Sequence, residues 1–183
     1  MLTGEWSNDV LKFWFAEAGS EYWFNKDPAF DETVGRRFLA LYEALANYSN
    51  NLLLADARTA LAAVLVFDQM SRNMFRDTPR AFATDPRALS IAQEAIDRGF
   101  DAGLTKDERM FLYLPFEHAE DAAAQERSVR LMVTLDDPEL TEWAEAHRKI
   151  IDRFGRFPHR NRVLGRTSTP EETLFLTQFG NRF

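Results

Sequence analysis

The chain has 183 residues, 45% hydrophobic and 28% charged, with a formal net charge of −7, a pI near 5.0 and no cysteine. That balance fits one globular domain over residues 1–183 with a sizeable core, and it excludes disorder, collagen, a disulfide framework, thiolate zinc sites and thiol catalysis. The longest apolar run, Ala60 to Phe67, is far shorter than the roughly 20 residues of a membrane span, and the opening MLTGEW lacks a basic, apolar signal pattern. A soluble, cytoplasmic protein without membrane contact is therefore expected.

Helical periodicity runs through the whole chain, and no alternating stretch calls for a sheet. Val10, Leu11, Phe13 and Trp14 open a short apolar helix broken near Gly19 and followed by an aromatic turn, Tyr22 to Phe24. Pro28 starts a second helix whose stripe, Phe30, Val34, Phe38, Leu41, Tyr42 and Leu45, ends near Ala46, and Asn47 to Asn51 read as a loop. A third helix, about Ala55 to Met70, is apolar nearly all round, which predicts a central, buried position. Asp85 before Pro86 predicts an N-cap with proline at the first helical position, and Gly99 suits the far end. Thr105 with Glu108 makes a capping box, and Pro115 should kink or split the helical stretch from Lys106 to Leu135 into two. Asp137 and Pro138 start another helix ending at Gly155, and Thr169, Pro170 and Glu172 repeat the cap, proline and box for a last short one. The sum is an all-α compact helical bundle of about eight helices, with one long connection, residues 155–168, of the kind that often carries function.

Polar residues interrupt the apolar faces at a few places. Asp68 and Gln69 follow the apolar run of the third helix, and an acid at a helix C-terminus opposes the dipole unless a cation such as Arg72 compensates it. Two readings are open: an Asp–Arg pair closing a helix end, or a pocket wall made of Asp68, Gln69, Arg72, Asn73 and Arg76. His118 shares a helical face with Leu114 and Phe111, with Gln125 continuing that row, and His147 shares one with Trp143, Ile150, Ile151 and Phe154. Both imidazoles should face inward, either as hydrogen-bonded core residues or, with His159, as parts of a shared polar pocket.

Seven Arg or Lys crowd residues 147–166 against the single acid Asp152, so this stretch either pairs with the chain's own acids or holds an anion. Arg156, His159, Arg160 and Arg162, joined to Arg72 or Arg76 through folding, can hold a phosphate or carboxylate by paired donors. The acidic pI argues against a nucleic-acid partner. No metal-ligand spacing is present, no phosphate-binding glycine loop, no dinucleotide fingerprint and no nucleophile elbow, so neither a metal nor a cofactor is expected.

The segments FDQMSRNMFRDTPRAFATDPRAL, FLYLPFEHAED with QERSV, and HRKIIDRFGRFPHRNRVLGRTSTPEE resemble the bacterial domain of unknown function 924 family, as do VLKFWF and YWFNKDPAFD near the start. The resemblance covers nearly the whole chain and implies an all-helical fold of tetratricopeptide-like superhelical type, without an established activity. Its signature falls on Asp68, Gln69, Arg72, Asn73 and Arg76, on Glu117, His118, Glu120, Gln125, Glu126 and Arg127, and on His147, Arg153, Arg156, His159, Arg160 and Asn161. The chain departs from the family pattern at Ser71, where the family has proline, at Ala119, where it has serine, and in LLLADARTALAA, where it has a Trp with a proline.

The expected function is binding of a small anionic ligand or acidic peptide segment in an inward pocket. Arg72, Arg153, Arg156 and Arg160 would be donors there, and His118, His147 and His159 would orient or protonate the ligand. The alternatives are a hydrolase or transferase for a phosphorylated or carboxylated metabolite, with His118 as general acid or base polarised by Glu117 or Glu120, and an interaction scaffold without a site.

Overall fold

The apolar stripes become helices, and no strand occurs among the described residues, 5–179, of this computed structural model. Residues 1–4, which begin the MLTGEW opening, lie outside that range. Helix α1 (Trp6–Lys12) runs on through wider π turns, Phe13–Glu17, and α2 spans Pro28–Leu45. A single turn α3 (Asn50–Leu53) stands where a loop was expected from the Asn-rich composition. Helix α4 is built in three consecutive parts: Ala57–Val64, a π segment Leu65–Met70, and Ser71–Met74. Then follow α5 (Asp85–Asp97), α6 (Lys106–Glu117), α7 (Ala122–Val133), α8 (Pro138–Phe154) and α9 (Pro170–Phe179). No helix among the described residues is long and apolar enough to cross a membrane.

The chain groups into two compact units, residues 5–76 with 80–115, and residues 77–79 with 116–179. In the first, α4 packs against α1, α2 and α5, and every residue from Ala60 to Ser71 is buried, including Asp68 and Gln69. The central position read from its all-round apolar sequence is therefore the observed one. Around it, Val34 and Leu45 of α2 and Val10 and Trp14 of α1 are fully buried. Each such side chain contributes about 1.5–3 kcal/mol relative to exposure.

In the π segment the backbone departs from the α pattern, and side chains donate to its carbonyls. Ser71 Oγ donates to Phe67 O (2.8 Å) and Asp68 O (3.1 Å), Thr84 Oγ1 donates to Phe67 O (2.6 Å), and Arg72 donates to Asp68 O.

The second unit is organised by caps. Pro115 lies inside the last turn of α6 rather than at its end, and the break falls at residues 118–121, where Asp121 caps α7 by accepting from Ala124 N (2.8 Å). Asp137 caps α8 through Glu139 N (3.1 Å) and Leu140 N (3.4 Å), and Gly155 ends it with a left-handed φ of 68°. The short connection makes α7 and α8 a packed helical hairpin, an arrangement compatible with tetratricopeptide-like packing. Past Gly155, Phe157 is fully buried against Ile150 and Ile151, with Phe154 and Phe175 packed alongside. The connection carries a 3-10 turn, Pro158–Arg160. The capping boxes Thr105/Glu108 and Thr169/Glu172 both form reciprocally.

One cap is used differently from expectation. Asp85 is the first residue of α5 rather than its N-cap, Thr84 takes the cap position, and the Asp85 carboxylate serves Arg72 instead. The amides of Arg87 and Ala88 donate instead to Thr84 O (3.0 and 2.9 Å), which leaves the carboxylate to a bidentate charge-assisted pair.

Candidate functional site

The end of α4 places the first predicted group in the first unit. Arg72 Nη1 and Nη2 donate to both oxygens of Asp85 (2.9 and 3.0 Å), and Nη1 lies 3.3 Å from Asp68 Oδ1. Gln69 Nε2 donates to Asp68 Oδ2 (2.6 Å). One turn on, Asn73 and Arg76 converge on Asp31 of α2: Asn73 Nδ2 to Oδ1 at 2.7 Å, Arg76 Nε to Oδ2 at 2.5 Å and Nη2 to Oδ1 at 2.7 Å. Burial opposes the Arg72 charge, yet Asp68 and Asp85 outweigh it and raise its pKa. All five predicted residues are thus brought together, with their donors already serving carboxylates of the same unit.

The second group lies in the second unit. His118 sits just past the end of α6, so the helical spacing that aligned it with Phe111, Leu114 and Gln125 does not extend to it, and Gln125 belongs to the next helix. Gln125 is fully buried and fastens that break: its Nε2 donates to Phe116 O (3.4 Å), Glu117 O (2.6 Å) and Ala119 O (2.8 Å). Glu120 accepts from Arg166 (2.6 and 2.9 Å) and from Phe157 N (2.7 Å), tying the break to the long connection. Burial raises the Glu120 pKa, but the bonds from Arg166 and Phe157 outweigh it and hold the carboxyl below its usual range.

Phe157 is the hub of the histidines. His147 meets its ring edge-on with centroids 5.6 Å apart, His159 lies tilted at 5.5 Å, and the Arg160 guanidinium stands 4.6 Å over the ring. Nδ1 of His147 is 2.9 Å from Trp143 O and 3.2 Å from Glu117 Oε1. A carbonyl only accepts, so Nδ1 carries the proton. Burial pushes the His147 pKa down to about 4, helped by His118 and Arg160 and opposed by the Trp143 carbonyl. Burial likewise lowers His159 to about 3, with Arg160, His147 and His118 adding and Glu120 opposing. Both rings are neutral at pH 7, and Glu117 is an acidic neighbour 3.2 Å from a neutral imidazole.

The remaining predicted arginines hold acids. Arg156 donates to Glu172 Oε1 (2.6 Å) and Oε2 (2.8 Å), with Asn161 Nδ2 at 3.2 Å from the same carboxylate. The hydrogen bond from Arg156 leads the effects that bring Glu172 down to about 2. Arg153 donates to Glu171 Oε1 at 2.8 and 2.7 Å on the surface, and Arg162 reaches Asp77 at 3.4 Å. Among the partners that went unread in the sequence, three lie at the centre of these clusters. Asp31 looks like an ordinary first-turn acid, Arg166 is one more cation in a basic run, and Glu172 carries only its capping signature. Among the described residues no group of three or more His, Asp and Glu is arranged to hold a metal ion.

Comparison with known proteins gives one family and a solved relative. The model of a family described as bacterial protein of unknown function (DUF924) matches residues 10–180. A solved structure, titled as that of a protein of unknown function, ATU0120, from Agrobacterium tumefaciens, is similar with a TM-score of 0.89 and 45% identity, covering 94% of this chain and 97% of that one. The curated proteins contain no match. With a family match of that extent over an all-helical chain, the protein belongs to the bacterial DUF924 family.

Proposed function

We propose that the second unit holds a small anion, a phosphate or a carboxylate, at Arg160, with His147 and His159 as neutral hydrogen-bonding neighbours. The observation that carries this is the arrangement on Phe157: a guanidinium 6% exposed over one ring, with two imidazoles around the same ring. A cation in such surroundings, beside neutral rings that donate or accept, suits an oxyanion, because charge-assisted bonds gain strength where water is excluded. Of the four arginines expected as donors, Arg160 is the one that stands over Phe157 beside His147 and His159. A cytoplasmic setting is part of this proposal, supported by the absence of cysteine.

Calorimetric titration with inorganic phosphate and with succinate tests it. Saturable binding is expected, weakened about tenfold or more in Arg160→Gln, as loss of a charge-assisted bond implies. Arg156→Gln should leave affinity closer to that of the unaltered protein. Equal affinity in Arg160→Gln, or no binding of either anion, would overturn the proposal. A hydrolase or transferase acting on a phosphorylated or carboxylated metabolite is the second reading, favoured by the 3.2 Å contact between Glu117 and His147.

A further inference from the structure

We infer that the second unit carries an acid-sensitive latch, in which proton uptake by His147 and His159 releases residues 155–160 from α8 while the first unit stays folded. The inference stands apart from the anion site, since it needs neither a ligand nor an unoccupied donor. All three histidines of the chain, His118, His147 and His159, belong to the second unit, and the first holds none.

The contact between the long connection and α8 is built around one ring. Phe157, fully buried, packs against Ile150 and Ile151 of α8, and His147 of the same helix meets its edge with centroids 5.6 Å apart. From the connection itself, the His159 ring lies 5.5 Å from Phe157 and the Arg160 guanidinium 4.6 Å over it. Two added protons would set three cations around a single phenyl group, in surroundings where like charges repel more strongly than in water. Against them stand two acids: Glu117 at the end of α6, 3.2 Å from Nδ1 of His147, and Glu120, whose carboxylate already accepts from Arg166 and Phe157 N. His118, in the turn after α6, adds to the positive field at both rings. Helix α7, packed along α8, holds Glu126 and Arg130 in a surface pair and Arg127 over Phe116. On α8 itself Arg148 lies 4.0 Å from Asp152, and Glu172 of α9 is held by Arg156.

Release from α8 returns the rings to water and to an ordinary pKa of 6.5, whereas burial holds them at about 4 and about 3 in the closed unit. The open form therefore binds more protons. The latch is at full strength above pH 6.5 and weakens as pH falls toward 4, by up to about tenfold per pH unit for each histidine. Other ties of the connection persist in that range. Burial opposes the Glu120 charge, but Arg166 and Phe157 N hold its carboxyl below the usual range, and the bond from Arg156 leads the effects that bring Glu172 down to about 2. Arg166 and Arg156 thus keep the connection joined to the turn after α6 and to α9 when its seat on α8 is lost.

Hydrogen exchange of the whole protein, read by mass spectrometry from pH 7.5 to pH 4.5 with labelling times scaled to the intrinsic rate, tests the latch. The reporters are the amides of Arg160, Asn161 and Leu164, which donate to Phe157 O, Pro158 O and Arg160 O in the turn seated on α8 through Phe157. Their protection is expected to fall about tenfold or more between pH 6.5 and pH 5, while the buried amides of α4 keep theirs. In the double variant His147→Gln, His159→Gln the fall should vanish whatever the variant's stability, because the groups that take up the protons are gone, and each single variant should keep part of it. Protection of the connection that stays flat over this range, an equal fall in α4, or an unchanged fall in the double variant would overturn the latch. If the double variant does not fold, the single variants and the comparison with α4 in the unaltered protein decide the matter.

Discussion

Arg72→Met tests whether the polar cluster at the end of α4 holds the first unit together. The side chain is 20% exposed, and it faces an Asp68 side chain with no exposure and an Asp85 side chain 13% exposed. Methionine keeps much of the apolar stem but leaves two carboxylates without this cation, and it takes a donor from the Asp68 carbonyl at the π segment. Removing one member of a buried pair costs about 3–5 kcal/mol. For a chain of this length each kcal/mol lowers Tm by about 2–4 °C, so a fall of about 6–20 °C is expected by circular dichroism. The triple variant Arg72→Met, Asp68→Asn, Asp85→Asn should recover part of that loss, because neutral partners no longer carry the cost of uncompensated charge. A fall under about 3 °C, with no recovery in the triple variant, would refute the reasoning and leave Arg72 open to a ligand role.

Three further outcomes follow from the geometry. Gly155→Ala should cost about 1 kcal/mol in chemical denaturation, since φ of 68° is strained for any side chain although nothing lies within 4 Å of the added carbon. Asp137→Ala should cost about 1 kcal/mol through loss of the α8 cap, and a change within error would show that the cap is idle. His147 and His159, at about 4 and about 3 when folded against an ordinary 6.5, keep the native state from binding protons that the unfolded chain takes up. Their contribution is complete above pH 6.5 and declines as pH falls toward 4, by up to about 1.4 kcal/mol per pH unit each. Glu172, lowered to about 2 from 4.5, loses its contribution only below pH 4.5. Denaturation midpoints at pH 7 and pH 5 should therefore differ, and the difference should shrink in His147→Gln; equal midpoints in the unaltered protein would contradict the buried, neutral histidines.

Much of the fold was legible because its signals are local. Asp137 before Pro138, Gly155, and the boxes at Thr105 and Thr169 specify helix ends through groups a few residues apart, and the structure uses each as read. Asp85 failed as a cap because its carboxylate is taken by Arg72, 13 residues away in sequence, and spacing alone cannot see that competition. His118 was placed by a helical row that ends one residue before it. Within the second unit, the grouping of His147, His159 and Arg160 depends on Phe157, an aromatic residue that in sequence is one core candidate among many. The pairing of Arg156 with Glu172 and of Arg166 with Glu120 was open in the basic run as internal neutralisation, but which acid meets which cation is decided by the return of α9 and by the break after α6.

The most direct test of the anion site is to follow the histidine ring signals of the labelled protein while inorganic phosphate is added at pH 7. The account predicts saturable shifts of His147 and His159 with one shared dissociation constant, lost together in Arg160→Gln. Ring signals that stay fixed through millimolar phosphate, or that move alike in Arg160→Gln, would contradict it.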